Sequence, residues 1–241
     1  MKTGTRLYIN ITNRCNTSCP FCCMYSGENK QTDMKFETYK RIIDDCDDEF
    51  ELQLEGGEPL INDKVYLFIE YAIATKKCKK VNILSNGIVF KNHLKHLVEL
   101  HQWYKIPFEI KISVNYWLLK QHKDHLKEIA DCVFATEYIP GFNIVLNTRK
   151  RTEDDWIDEE IKKYKLENIN HSFYLQSYGK MTGSKYEGVK IVQEIENWKI
   201  YSVDGICFGQ DLVARSEHEK NIRWTQLSLP HITSSLQNNT M

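Results

Sequence analysis

The sequence predicts an α/β protein in which strands alternate with helices and curl into a partly closed barrel, followed by a small C-terminal hairpin extension. Short runs rich in β-branched residues recur along the chain, and between them apolar residues fall three or four apart, the spacing of helices packed on one face. The strand-then-helix order repeats five or six times, enough for a curved parallel sheet and short of the eight units of a full barrel.

The strands are expected at Leu7 to Thr12, Glu51 to Leu54, Val81 to Leu84, Glu109 to Val114, Phe142 to Asn147 and Ser172 to Leu175. Helix faces are expected at Phe36, Ile42, Ile43 and Cys46, at Val65, Phe68, Ile69 and Ala72, and at Leu94, Leu97 and Val98. The same spacing returns at Leu118, Leu119, His122, Leu126 and Ile129, and again at Trp156, Ile157, Ile161 and Tyr164. After Leu175 the pattern changes. A small-residue stretch from Gly179 to Gly183 precedes a short helical run from Tyr186 to Trp198. Ile200 to Val203 and Ile206 to Phe208 then flank Asp204-Gly205, a dipeptide suited to a hairpin turn. The expected division is therefore a barrel over residues 1–182, a cap over 183–224 and a polar, flexible tail over 225–241.

With 32 basic against 33 acidic residues in 241, no global field points to nucleic acid or an anionic membrane. No apolar stretch reaches the roughly 20 residues of a spanning helix, and the start, MKTGTRLYIN, lacks a secretory hydrophobic run, so a cytoplasmic location is expected. In that compartment eight cysteines read as thiols or metal ligands rather than disulfides.

The loop after the first strand reads NRCNTSCPFCCMY and spaces Cys15, Cys19 and Cys22 as C-x3-C-x2-C. Thiolates are preferred by iron-sulfur clusters and by zinc, and three within eight residues can converge on one centre. With three protein ligands, one iron of a 4Fe-4S cubane stays open to a small molecule, as catalysis needs. A structural zinc knuckle, or cysteines packed as small apolar side chains, is the plainer alternative. Cys23 is read as a spare thiol, because adjacent side chains diverge. The second motif, Glu55-Gly56-Gly57-Glu58-Pro59-Leu60, follows the second strand. Its glycines allow close backbone approach, and Glu58 brings a carboxylate to the C-terminal edge of the sheet.

In order and location, the two segments resemble the signatures of the radical S-adenosylmethionine (SAM) superfamily. The resemblance covers about residues 5 to 180 and implies a partial (β/α)6 barrel of the TIM-like kind. It implies that Cys15, Cys19 and Cys22 hold one 4Fe-4S cluster whose open iron takes the methionyl group of SAM. Phe21 would lie against the adenine, Gly56, Gly57 and Glu58 would receive the methionyl ammonium, and Pro59 would belong to the same cofactor site. Ser85-Asn86-Gly87 resembles the family's Thr-Asn-Gly, and Ser113 with Asn115 resembles a Ser-x-Asp that meets the cofactor, asparagine replacing the usual aspartate; both pairs could instead cap the next helix. Glu55 is unusual before the glycines and could face substrate or solvent.

The resemblance further implies an oxygen-sensitive enzyme. An external donor such as flavodoxin or ferredoxin would supply one electron, SAM would be cleaved reductively, and the 5'-deoxyadenosyl radical would abstract a hydrogen atom from the substrate. Ile200 to Cys207 resembles the opening hairpin of the SPASM extension of peptide- and protein-modifying relatives, here shortened. No cysteine follows Cys207, so an auxiliary cluster is not expected and Cys207 reads as a packed thiol. A peptide or protein side chain is the expected substrate. The alternatives are a small metabolite, activation of a glycyl-radical protein, or a non-catalytic scaffold, which the Gly-Gly-Glu-Pro disfavours. Asn147 and Gln176 end expected strands toward the cavity, and the histidines, His218 and His231 included, show no ligand spacing.

Overall fold

The computed structural model describes residues 5–175, 178–181 and 197–222. Seven strands form one sheet: β1 Thr5–Thr12, β2 Phe50–Gly56, β3 Cys78–Ser85, β4 Phe108–Asn115, β5 Phe142–Lys150, β6 Asn170–Tyr174 and β7 Trp198–Tyr201. Their order is β6-β5-β4-β3-β2-β1-β7 and every neighbouring pair is parallel. Parallel neighbours require crossovers, which the helices supply: α1 Phe36–Asp44, α2 Val65–Ala74, α3 Phe90–Tyr104, α4 Tyr116–Gln121, α5 His125–Thr136 and α6 Trp156–Lys163. This is the α/β architecture of a partial TIM-like barrel.

The core lies between one face of the sheet and these helices. Leu7, Ile9, Leu52, Leu54, Ile83 and Ile110 have no solvent exposure, and Tyr39, Ile43, Phe68, Leu97 and Ile157 cover them from the helices. Each fully buried large apolar side chain contributes roughly 1.5–3 kcal/mol. The Tyr39 hydroxyl, buried among them, donates to the Phe68 carbonyl at 2.8 Å.

All six expected strands are present, several longer than their apolar runs. The periodic run from Leu118 to Ile129 divides into α4 and α5, because α4 ends at an extended His122 (φ −127°, ψ 91°). The hairpin forms, with Tyr201 bridged antiparallel to Cys207 and the Phe208 amide donating to the Ile200 carbonyl at 2.8 Å. Its first strand does more than a cap strand would: β7 pairs with β1 and becomes a member of the main sheet. Cys207 is exposed, correcting its reading as a packed thiol: it sits on the two-residue antiparallel bridge with Tyr201, next to the exposed Ile206, where no core among the described residues covers it. A further helix, α7 Leu212–Asn221, follows the hairpin and was not expected. The expected helical run from Tyr186 lies outside the described residues except for Asn197 and Trp198, the latter opening β7; the tail from 225, His231 and Gln176 also lie outside them. The boundary expected at residue 182 falls where such a stretch begins.

Candidate active site

The cysteine loop leaves the end of β1 and is folded back on itself. Asn13 Oδ1 accepts from the Thr32 amide at 2.9 Å, and the Cys15 amide donates to the Gly27 carbonyl at 3.3 Å. The glycine pair ending β2 explains why this loop sits where it does. The Gly57 amide donates to the Thr12 carbonyl at 2.7 Å and the Glu58 amide to the Arg14 carbonyl at 2.8 Å. A Cβ on Gly57 would lie 1.9 Å from the Arg14 carbonyl oxygen, and one on Gly56, where φ is +140°, 2.2 Å from that of Thr12. Only glycine lets the two loops approach this closely.

A cavity of about 540 Å³ opens on the concave side of the sheet beneath these loops. Cys15, Cys19, Cys22 and Phe21 line it from the first loop, Gly56 and Gly57 from the second, and Ser85, Asn86, Ser113 and Asn115 from the ends of β3 and β4. Ten of the twelve residues expected at the site from sequence therefore face one space. Glu58 and Pro59 are the exceptions; both are buried and neither lines the cavity. Instead the Glu58 carboxylate accepts from the Leu60 amide (3.0 Å), the Ser85 hydroxyl (3.0 Å) and the Asn86 amide (2.6 Å), so it fixes the wall that Ser85 and Asn86 present. Burial pushes its carboxyl up to about 7.

Asn86 in turn donates from Nδ2 to Asn16 Oδ1 at 2.7 Å and to Cys15 Sγ at 3.6 Å. Asn115 caps α4, its Oδ1 accepting from the Leu118 amide at 3.0 Å, so the capping reading and the cavity position hold together. Phe21 packs against Tyr116 with ring centroids 5.4 Å apart. Burial, followed by the neighbouring acidic groups and thiols, pushes Cys15 up to about 12; burial and then Cys22 push Cys19 up to about 11. Burial thus holds these two side chains as neutral thiols, and a metal centre would have to take them as thiolates. Among the described residues no three His, Cys, Asp or Glu side chains converge on a single ion, a demand that thiolates on separate corners of a cubane do not make.

The loop is also held from the C-terminal side. The Lys180 amide donates to the Cys22 carbonyl at 3.2 Å, and Ser216 of α7 donates to the Cys23 carbonyl at 2.5 Å. Glu55, whose direction the sequence left open, forms a buried ion pair with Arg215 of α7 and accepts from Gln53 at 2.9 Å. Gln53 itself accepts from Lys111 at 3.0 Å, so a polar chain crosses the cavity from β4 through β2 to α7. Lys111, Arg149 and Arg215 line the cavity and were not singled out in the sequence, whereas Asn147, expected there, does line it. For Lys111 a signal existed: Glu109, Lys111, Ser113 and Asn115 alternate with Ile110, Ile112 and Val114, marking a strand with one polar face.

With this arrangement in view, residues 9–116 match the family model described as the Radical SAM superfamily. Over those residues the chain is similar to that superfamily. Members of the family are enzymes that use a 4Fe-4S cluster and SAM, and the thiol loop beside the cavity provides the soft ligands such a cluster requires. GTP 3',8-cyclase of Campylobacter lari is 24% identical over 193 residues, which is 74% of this chain and 59% of that protein. The subtilosin biosynthesis protein AlbA of Bacillus subtilis is 30% identical over 107 residues, 44% of this chain and 23% of that protein. The chain thus spans 59% of one relative's length and 23% of the other's. The solved structure of native anSMEcpe with bound AdoMet and Cp18Cys peptide is similar to this chain in fold, at TM-score 0.51 and 16% identity, covering 78% of this chain and 55% of that one.

Proposed function

We propose that this protein is a radical SAM enzyme that modifies a side chain of a peptide or protein. The observation that carries the reading is the placement of Cys15, Cys19 and Cys22 on one wall of the same cavity that Gly56, Gly57, Ser85, Asn86, Ser113 and Asn115 line. In this reading the three cysteines hold the 4Fe-4S cluster and the other six, with Phe21, flank SAM. Glu58 acts through Ser85 and Asn86, whose positions it fixes, and Pro59 turns the chain behind it. The bound cluster and SAM supply a 5'-deoxyadenosyl radical on one-electron reduction, for which a flavodoxin or ferredoxin is the proposed donor. The chain's own part is to bind, orient and exclude water, and the apolar stretch of wall from Leu84, Val145 and Phe173 serves the last of these. No helix of the described residues is long and apolar enough to cross a membrane.

A peptide substrate is supported by the subtilosin biosynthesis relative and by the peptide bound in the anSMEcpe structure. A small metabolite is the second reading, supported by the likeness to GTP 3',8-cyclase over 74% of the chain. The class is tested anaerobically: protein reconstituted with iron and sulfide is given dithionite and SAM, and 5'-deoxyadenosine is assayed by chromatography. Wild-type protein is expected to form it, and Cys19→Ala to lose both the cluster's visible absorption and this product. Cleavage that survives in the Cys19 variant would remove that residue from the ligand set.

A further inference from the structure

The cavity holds a second group of side chains that the reading above leaves unused. Arg149, near the end of β5, and Arg215, on α7, both line it, and both stand within electrostatic reach of Tyr178, whose hydroxyl is hydrogen-bonded to the Cys23 thiol. Among the described residues, each guanidinium has a buried nitrogen without a hydrogen-bond partner, Nη1 of Arg149 and Nε of Arg215. Their charges are not equally answered. Arg215 is paired with Glu55, whereas among the described residues no carboxylate pairs with Arg149, which rests over the Phe173 ring with Cζ 4.5 Å from its centroid. A cation taken out of water with an unmatched N–H is costly unless an anion completes it.

We propose that Arg149, assisted by Arg215, is a subsite for a carboxylate carried by the substrate. The claim rests on the radical SAM reading only for what it says about the substrate. Arg215 is answered by Glu55, so the charge left for an incoming group at this end of the cavity is that of Arg149, which one carboxylate would match. A guanidinium fork also fits a carboxylate edge-on. The position favours substrate over cofactor: the residues proposed to flank SAM belong to the cysteine loop, β2, β3 and β4, whereas Arg149 lies one strand further, against Phe173 of β6 at the end of the sheet. The expected substrate is therefore a peptide with an acidic side chain or a free C-terminal carboxylate near the reacting residue. Phe173 would form the floor on which the guanidinium is held flat, leaving its edge for the incoming group.

The test uses reconstituted protein and binding rather than turnover. N-acetylglutamate and its uncharged counterpart N-acetylglutamine are titrated by calorimetry or ligand-observed NMR, in parallel with SAM and decarboxylated SAM. Wild-type protein is expected to prefer N-acetylglutamate by about tenfold, the worth of one charge-assisted hydrogen bond. Arg149→Gln should abolish that preference, Arg149→Lys should keep part of it, and neither should change the ratio of SAM to decarboxylated SAM. Should the glutamine variant fail to fold by thermal melting, the lysine variant carries the comparison. An undiminished preference in the variants overturns the proposal. So does a collapse of the SAM ratio in Arg149→Gln, which would make the methionyl carboxylate the occupant, and so does displacement of N-acetylglutamate by inorganic phosphate at lower concentration. Because 5'-deoxyadenosine formation is assayed separately, failure of the class reading leaves the carboxylate result standing, and the reverse also holds.

Discussion

Gly57 sits where a methyl group has no room. The atom a Cβ would strike, at 1.9 Å, is the Arg14 carbonyl oxygen, part of the backbone leading into Cys15, and it cannot swing aside as a side chain would. Gly57→Ala is accordingly expected to destabilise the fold by about 2 kcal/mol or more in urea melts, and to lower iron incorporation because the cysteine loop must shift with Arg14. A melt indistinguishable from wild type would mean the loops can part freely. His125 makes a second residue-scale case. It is buried against the wall behind Ser113, whose carbonyl oxygen lies 3.3 Å from Nε2, and burial pushes its pKa down to about 4. A depressed pKa means the folded state holds the neutral ring while the unfolded chain takes up a proton near 6.5. Its stabilising contribution is therefore complete above pH 6.5 and is lost as pH falls toward 4, a change on the order of 3 kcal/mol. Unfolding free energy measured between pH 7 and 4 should decline less steeply in His125→Gln. An equal slope would show that the ring charges without penalty.

At the scale of elements, α7 and β7 tie the C-terminal segment to the site. Helix α7 buries polar residues: Arg215 pairs with Glu55, Ser216 holds the Cys23 carbonyl, and Glu219 accepts from Asn10 at 2.5 Å and from the Val203 amide at 3.0 Å. Removing one partner of a buried ion pair leaves the other uncompensated, so Arg215→Ala is expected to lose about 3–5 kcal/mol. The double variant with Glu55→Ala should be more stable than the sum of the single losses, a coupling that denaturant melts resolve. Simple additivity would mean the pair does not dock the helix. The same polarity explains why α7 was not legible in the sequence. Its inward side is Arg215, Ser216 and Glu219, so no apolar stripe marks it, and the side-chain partners Glu55 of Arg215 and Asn10 of Glu219 lie 160 and 209 residues away. For β7, the sequence placed Trp198 at the end of a helical run and only Ile200 and Tyr201 in the hairpin, which gives no sign of the parallel pairing with β1.

Across the whole molecule, what was legible followed from repetition and spacing. Strand-helix alternation marked six strands because their extended runs recur between helix faces of regular spacing, and the cysteine triad and glycine pair marked the loops that meet above the sheet. Contacts that depend on distant side chains were not legible: Glu58 turned away from the cavity toward Ser85 and Asn86, and Arg149 turned into it. The sheet's stability should be just as uneven. In β2 every residue but Gly56 is buried and both neighbours are present, whereas β6 ends the sheet, pairs with β5 alone among the described residues, and has none of its five residues fully buried. Local opening free energies follow buried contacts, so β6 amides should exchange with solvent roughly 100-fold faster than those of β2, as read by mass spectrometry of peptic fragments. Equal protection would mean that another part of the chain covers β6. Fast exchange would leave Phe173, and Arg149 on the strand beside it, next to the loosest edge of the barrel, where a peptide can enter without disturbing the strands that carry the cysteine and glycine loops.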